Sequence, residues 1–461
     1  MQPVLLIDVV GLTTRLLSDA TPHLRSLAAR APMTTVLPAV TCSAQATMLT
    51  GLPPSGHGAV GNGWYARDSG EVALWRQSNA LVSGAKLYEL VKQRDPRARV
   101  AKLFWWWNLG AAVDLSITPR PFYPADGRKI PATYSWPACY GERLAAALGP
   151  FPFFDFWGPK SGLPSSRWIA DATLWTLREE RPALTLAYLP HLDYDFQRCG
   201  PDDARARRAV AEIDGVVGDL LRAAAATGTR VVVVSEYGID AVERPVHVNR
   251  ALRDAGLLVA RPTPAGDVLD VFGSRAFALA DHQVAHVYCR GAGALDAARE
   301  VLASLPGVER VLAGAELERA GLLHARSGDL VLVAERGAWF TYYYWSDPAG
   351  EPDFARTVDI HRKPGYDPCE LFVDPRLALP ALRVARRLVQ KKLGFRYLMD
   401  VIPLDASLVR GSHGRLPDDP ADGPVFLASE PFARCGGEPA DGVVAMESVP
   451  ERVLALMGLA R

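Results

Sequence analysis

Short apolar runs, each closed by a polar residue, set the rhythm of this chain. Val4-Leu5-Leu6-Ile7 stops at Asp8, and residues 184–189 lead into His191-Leu192-Asp193. Val231-Val232-Val233-Val234 stops at Ser235-Glu236, and residues 425–429 follow Ser412-His413-Gly414. A further run covers residues 100–107. Apolar runs without alternation read as strands buried on both faces, as in a parallel sheet covered by helices. Thr21-Pro22 predicts a helix start, with Leu24, Leu27, Ala28 and Ala31 along one face. Val210, Ile213, Val217, Leu220 and Leu221 recur at helical spacing until Gly228. Strand, helix, strand with acids at the strand ends is the doubly wound α/β pattern, whose chemistry sits at the carboxyl edge of the sheet.

From about residue 250 the texture changes to smaller helix–strand units, among them residues 297–305, 329–334 and 341–345, followed by a basic helical run over 385–393. The expected organisation is a core of residues 1–250 and 411–461 with a smaller α+β cap inserted at 251–410. Residues 118–159, rich in proline and aromatics, are too many for a plain loop. They are expected to fold over a sheet edge or over the site.

Composition narrows the partners. The chain has 461 residues, too many for one simple core, which fits one large domain with an insertion or two domains. Its 51 Lys plus Arg equal its 51 Asp plus Glu, so no overall field favours a nucleic-acid polymer or an anionic membrane. Cys42, Cys139, Cys199, Cys289, Cys369 and Cys435 form no CxxC pair, which points to reduced thiols. With no signal-peptide pattern and no apolar run near the ~20 residues of a membrane span, the expectation is a soluble cytoplasmic protein. Its oligomeric state stays open.

The densest chemistry lies in residues 37–65, LPAVTCSAQATMLTGLPPSGHGAVGNGWY. Thr41 stands at the mouth of a short helix through Gln45 to Leu49, where backbone N–H groups and the helix dipole lower the cost of an alkoxide and attract an anion. Thr41 as a plain N-cap is the structural alternative. Pro38, Thr41-Cys42-Ser43, Thr50-Gly51, His57-Gly58 and Asn62 together resemble the nucleophile segment of the alkaline phosphatase superfamily. The likeness is to its type I phosphodiesterase/nucleotide pyrophosphatase branch and the related phosphonoacetate hydrolases. The resemblance implies Thr41 as nucleophile and metal ligand, and Asn62 as a donor to a phosphoryl oxygen. A sulfatase nucleophile, Cys/Ser-x-Pro-x-Arg, does not match Cys42-Ser43-Ala44-Gln45-Ala46 or the frame one residue on.

The same resemblance supplies a ligand set in chain order. Asp8, Asp193 (with Gly200-Pro201 after it), Glu236 and His413 match positions that hold two divalent ions in the family. Asn249-Arg250-Ala251-Leu252-Arg253 and Arg326-Ser327-Gly328-Asp329-Leu330 also resemble family segments. Three positions depart from the pattern: Gln197 and Tyr237 stand where the family has histidines, and Glu236 where it has Asp. An amide oxygen is a weak zinc donor, and a phenol must first lose a proton at a pKa of ~10. The set implied is therefore one or two divalent ions, zinc by family and Mn²⁺ or Mg²⁺ by its oxygen-rich ligands. His361, in Asp359-Ile360-His361-Arg362-Lys363-Pro364-Gly365-Tyr366-Asp367, is the best substitute ligand, ahead of His191, Asp195, His282 and His286.

The function implied is a metal-dependent hydrolase of phosphoric esters, acting on a small phosphorylated substrate through a phosphothreonine. Two alternatives stand beside it. One is a phosphomonoesterase or phosphonate hydrolase on the same site; the other is a silent binding protein that kept the fold. Trp64, Tyr65 and Trp105-Trp106-Trp107 serve either as a stacking or leaving-group pocket or as core packing. Arg120, Arg128, Lys129, Arg362 and Lys363 are candidate cations for a monoester's second charge.

Overall fold

In the computed structural model, which describes residues 1–125 and 129–460, the apolar runs form the middle of an eight-stranded mixed sheet. The strands lie in the order Ala29–Pro32, Val425–Ala428, Arg230–Val234, Val4–Val9, Leu184–Leu189, Val100–Leu103, Leu115–Pro119, Thr133–Trp136. From Arg230–Val234 across to Leu115–Pro119 all neighbours are parallel. Val425–Ala428 is antiparallel to both its neighbours, and Thr133–Trp136 to its single one. Every residue of Val4–Val9 and of Leu184–Leu189 is buried, which explains their lack of alternation. Helices Leu163–Glu179 and Ala204–Ala226 pack on the sheet and on each other.

The register positions the chemistry. Asp8 lies level with Tyr188 on one side and Val234 on the other. The chain therefore leaves three adjacent strands at one edge, carrying Asp8, the 190–193 turn and Ser235-Glu236-Tyr237 with it. Ser235 pins its turn by donating to Leu12 O at 2.6 Å and accepting from Val425 N at 2.9 Å. Gly238 must be glycine, because a Cβ there would stand 1.8 Å from Asp422 O.

Two sequence expectations need correction. The helix opened by Thr21-Pro22 ends at Arg25, and Ala29–Pro32 is an edge strand instead. Leu27, Ala29 and Ala31 are buried while Ala28 and Arg30 are exposed, so the period is two, not 3.6. Residues 341–345 follow the strand Ala338–Phe340 as irregular chain, held by burial of Tyr342, Tyr343, Tyr344 and Trp345. The described residues of 118–159 do both things expected of that stretch. They supply the edge strand Thr133–Trp136 and helix Ala138–Leu148, and Pro119, Pro121, Phe153, Phe156 and Trp157 wall a cavity over the sheet.

A second sheet lies within the later half, in the order Ala276–Asp281, Val284–Cys289, Leu330–Ala334, Val308–Leu312, all antiparallel. Helices Val248–Asp254 and Ala294–Ala303 contact it. Its first two strands are joined by His282 and Gln283 alone, with His282 at φ +60°. A positive φ is uncommon for a residue with a Cβ and belongs to tight hairpin turns. This turn carries His282 into the site.

Candidate active site

Thr41 is the first residue of helix Thr41–Thr50, with Val40 as its cap, so the plain N-cap role belongs to Val40. Thr41 Oγ1 donates to Glu236 Oε2 at 2.8 Å. One helical turn on, Gln45 lies on the same face. Its Nε2 donates to Glu236 Oε1 at 2.6 Å and to Asp8 Oδ2 at 3.2 Å. The amide cannot turn over without loss, because its Oε1 accepts from Trp106 N at 2.6 Å. Burial, and then the charge of Glu236, push Asp8 well above the ordinary carboxylate range. Burial also raises Glu236, but hydrogen bonds with Asp8, Gln45 and Thr41 pull it back. Of this buried pair the proton is held more readily by Asp8, and Glu236 accepts from Thr41 Oγ1 and Gln45 Nε2.

The other flank of Thr41 is built around Asp193, in the first turn of helix His191–Cys199. Gln197, four residues on, donates Nε2 to Asp193 Oδ2 at 2.7 Å, and its Oε1 accepts from Tyr366 Oη at 2.9 Å. Tyr237 Oη lies 3.4 Å from both Thr41 Oγ1 and Asp193 Oδ1, and its ring stacks on His413 at 3.5 Å. His413 Nδ1 donates to Ala39 O at 2.7 Å, which leaves Nε2 as an acceptor, 3.8 Å from Asp193 Oδ1. Burial, and then Glu236, push Asp193 up to about 7. Burial drives His413 well below its usual range, so the ring is neutral.

The structure thus gathers Asp8, Thr41, Asp193, Gln197, Glu236, Tyr237 and His413. Asn62 is beside them but turned away from the cavity. Its Oδ1 accepts from Cys42 N at 3.0 Å, while its own N and Nδ2 donate to Asp281 at 2.8 and 3.0 Å. It ties helix Thr41–Thr50 to the second sheet. His361 lies exposed at the cavity rim, against Tyr123 with ring centroids 6.3 Å apart, and bonds none of the carboxylates. The histidine that arrives is His282, its ring 3.7 Å from that of His413 and 3.6 Å from that of Tyr366. Its Nδ1 bonds Asp281 Oδ1 at 2.8 Å, and its buried Nε2 has no partner.

Beside Thr41 opens a cavity of about 130 Å³ with largely aromatic walls, including Trp75, Trp106, Tyr123, Phe156, Trp157 and Tyr366. Lys129 is the lone lysine or arginine in its wall among the described residues. Lys363 is buried between Asp367 and Glu370, 2.7 Å from each, and is not available to a ligand. Arg362 pairs at 3.4 Å with Asp359 on the surface, Arg120 is exposed, and Arg128 lies outside the described residues. Trp105 and Trp107 are core residues whose indoles donate to Ala187 O and Cys42 O. Only Trp106 of the three reaches the cavity.

The divalent ions implied by the resemblance do not fit this arrangement. Gln45 turns N–H groups, not its oxygen, toward the gap between Asp8 and Glu236, where an ion shared by those carboxylates would lie. Both oxygens of Asp193 already face protein donors, Gln197 on one and Tyr237 on the other. No three His, Cys, Asp or Glu side chains converge on a common point among the described residues. The expected ligand set of Asp8, Thr41, Asp193, Gln197, Glu236, Tyr237, His361 and His413 is therefore a hydrogen-bonded network, with His361 outside it. Gln45, Gln197 and Tyr237 supply the side-chain amide and phenol hydrogen bonds that the buried carboxylates accept.

An α/β sheet whose strand-end acids meet Thr41 at the start of a buried helix, with a second sheet from the later half beside them, defines an alkaline phosphatase-like protein. More narrowly, residues 4–367 match the Type I phosphodiesterase / nucleotide pyrophosphatase family, and the chain belongs to that family. Among solved structures it is similar to phosphonoacetate hydrolase from Sinorhizobium meliloti 1021, in complex with phosphonoformate. The identity is 16%, with 100% of this chain and 96% of that chain covered and a TM-score of 0.61. It is likewise similar to murine ectonucleotide pyrophosphatase / phosphodiesterase 5, an inactive variant in complex with AMP, at 15% identity, 100% and 96% coverage and a TM-score of 0.58. The human form of that protein gives the same figures. No curated protein matches the chain in sequence.

Proposed function

We propose that this chain hydrolyses a phosphoric or phosphonic ester through attack by Thr41, a diester with an apolar arm in preference to a monoester. The observation that carries the reading is the 2.8 Å hydrogen bond from Thr41 Oγ1 to Glu236 Oε2 at the floor of an aromatic cavity. Glu236 takes the hydroxyl proton as the Oγ1–phosphorus bond forms. The bond from phosphorus to the leaving oxygen breaks, and that oxygen takes a proton from Asp193, whose raised pKa keeps it partly protonated near neutrality. Asp193, now a carboxylate, draws a proton from water as the water attacks the phosphothreonine. The Oγ1–phosphorus bond breaks and Thr41 recovers its proton from Glu236. The Tyr237 hydroxyl and the N-terminal dipole of helix Thr41–Thr50 face the phosphoryl oxygens.

Charge selects the substrate class. Glu236, and Asp193 whenever it is ionised, repel a dianionic monoester more than a monoanionic diester, and repulsion is strong where water is excluded. The lone cation in the wall among the described residues, Lys129, is peripheral. The aromatic wall favours an apolar or planar arm. The test is a panel of chromogenic diesters, monoesters and phosphonates, run with chelator and again with added Mg²⁺, Mn²⁺ or Zn²⁺. Diester turnover that survives chelation and vanishes in Thr41→Ala supports the reading. Equal turnover by Thr41→Ala defeats it.

A second reading is a binding protein without turnover. It is favoured by the same donors, since Gln45, Gln197 and Tyr237 stabilise the closed network with no substrate present. Calorimetric binding of a phosphodiester that no condition hydrolyses selects this reading.

A further inference from the structure

Helix Pro380–Lys392 is mounted with its apolar side outward. Its inner side is polar: Arg387 grips Asp400 through Nε and Nη2, both at 3.1 Å, and Arg383 Nε donates to the same carboxylate at 3.3 Å. Val384 is its one large apolar residue packed against the second core. Leu382, Val389 and Leu393, at i, i+7 and i+11, share the outer side and are 62%, 56% and 66% exposed. Leu379 and Phe395 extend the same apolar exposure past either end, and Leu388 is exposed on the flank of the helix. A soluble surface helix ordinarily turns such a stripe to the core.

The charge around the stripe is one-sided. Residues 379–398 contain Arg383, Arg386, Arg387, Lys391, Lys392 and Arg396 and no Asp or Glu, although the whole chain is balanced. Arg386, Lys391, Lys392 and Arg396 are exposed and make no ion pair among the described residues. An apolar stripe flanked by free cations matches an interface with acyl chains beneath anionic headgroups. No helix among the described residues is long and apolar enough to cross a membrane, so the match is to lying on a surface.

We infer that this protein docks on anionic lipid bilayers through the outer side of helix Pro380–Lys392 and the 393–398 segment that follows it. Leu382, Val389, Leu393 and Phe395 enter the acyl boundary, Arg386, Lys392 and Arg396 meet headgroup phosphates and carboxylates, and Lys391, on the far side of the helix, adds to the local positive field. The balanced net charge, from which no membrane partner was expected, conceals this local excess. The proposal is independent of turnover at Thr41.

The experiment is co-sedimentation of the full chain with vesicles of phosphatidylcholine, alone or mixed with phosphatidylserine. Two variants accompany it, Leu382→Ser/Val389→Ser/Leu393→Ser and Arg386→Glu/Lys391→Glu/Lys392→Glu/Arg396→Glu. All the substituted residues are exposed, and circular dichroism melts establish that both variants fold. Wild type is expected to bind the mixed vesicles, to release as salt rises, and to leave pure phosphatidylcholine largely in solution. Each variant is expected to lose binding, the charge reversal by on the order of a hundredfold or more. Absence of wild-type binding to mixed vesicles overturns the proposal, as does binding that ignores the charge reversal. Light scattering that shows a dimer abolished by the serine variant, without vesicle binding, assigns the stripe to a second copy instead.

Discussion

The two flanks of Thr41 solve one problem differently. Each must keep buried carboxylate charge stable without an arginine or lysine in contact. Toward Asp8 and Glu236 the solution is tight and local. Gln45 lies on the same helix as Thr41, contacts both acids, and is locked by a backbone N–H from Trp106. Toward Asp193 the solution is assembled from distant pieces, with only the Gln197 bond short. Tyr237 stands 3.4 Å away, His413 3.8 Å, and His282 comes from the turn of the second sheet. A rigid flank suits a base that must meet the hydroxyl in one geometry, and a looser one suits an acid that must follow a leaving group.

The largest expected effect is at the shared atom. Thr41→Ala is expected to lower turnover by on the order of 10⁴-fold or more and to abolish a phosphothreonine detectable by mass spectrometry. Glu236→Gln comes next, at about 10² to 10⁴-fold. That loss should be equal for nitrophenyl and alkyl esters, because the base acts before the leaving group matters. Asp193→Asn is expected to separate the two substrates. In the burst that forms the phosphothreonine, an alkyl leaving group needs its proton and suffers a similar loss, whereas a nitrophenolate leaves without one and suffers far less. The later attack by water, where Asp193 is the base, slows alike for both. Equal losses of burst rate on both esters would remove the distinction between the flanks.

How far the sequence reached follows the same division. Strand-end acids were legible because a short apolar run closed by Asp or Glu has a fixed place at a sheet edge, so Asp8, Asp193 and Glu236 could be assembled before any contact was known. Thr41 and His413 came with the family's order along the chain. Gln45 went unassigned although it stands four residues beyond Thr41, a spacing that puts two side chains on one helix face. What fixes its role is Trp106 N, just past a strand end and 61 residues away, and that is tertiary information. His282 is hard to place from sequence, because a hairpin turn at positive φ leaves little trace in composition, whereas His361 stands in a run that resembles a site loop. The edge strand Ala29–Pro32 was hidden by alanines, which satisfy a period of two or of 3.6 equally well.

Acidity gives the next prediction. Asp193, raised to about 7 by burial and by Glu236, holds a proton in the folded state that an unfolded aspartate near 3.8 has released. Gln197, Tyr237 and Arg198 pull it the other way, with less effect. The folded state therefore binds more protons between those values, and stability falls as pH rises from about 4 to about 7, then levels off. The full contribution of that shift is about 4 kcal/mol. Chemical denaturation of wild type and Asp193→Asn across this window should show the variant with the flatter profile. If Asp193 is also the acid, alkyl-ester turnover declines above pH ~7, while nitrophenyl-ester turnover persists.

The smallest effects measure the tightness of the two flanks directly. Gln45→Ala leaves Asp8 Oδ2 and Glu236 Oε1 without their donor in a buried site, and Trp106 N without its acceptor. An expected cost of about 1–3 kcal/mol follows from stranding such groups. Tyr237→Phe removes a hydroxyl whose contacts are 3.4 Å long and keeps the ring stacked on His413. Bonds of that length are weak, so its cost should stay below about 1 kcal/mol. Urea unfolding of both variants settles the order. Were Tyr237→Phe the more damaging, the Asp193 flank would be the rigid one, and the assignment of base and acid to the two sides would have to be exchanged.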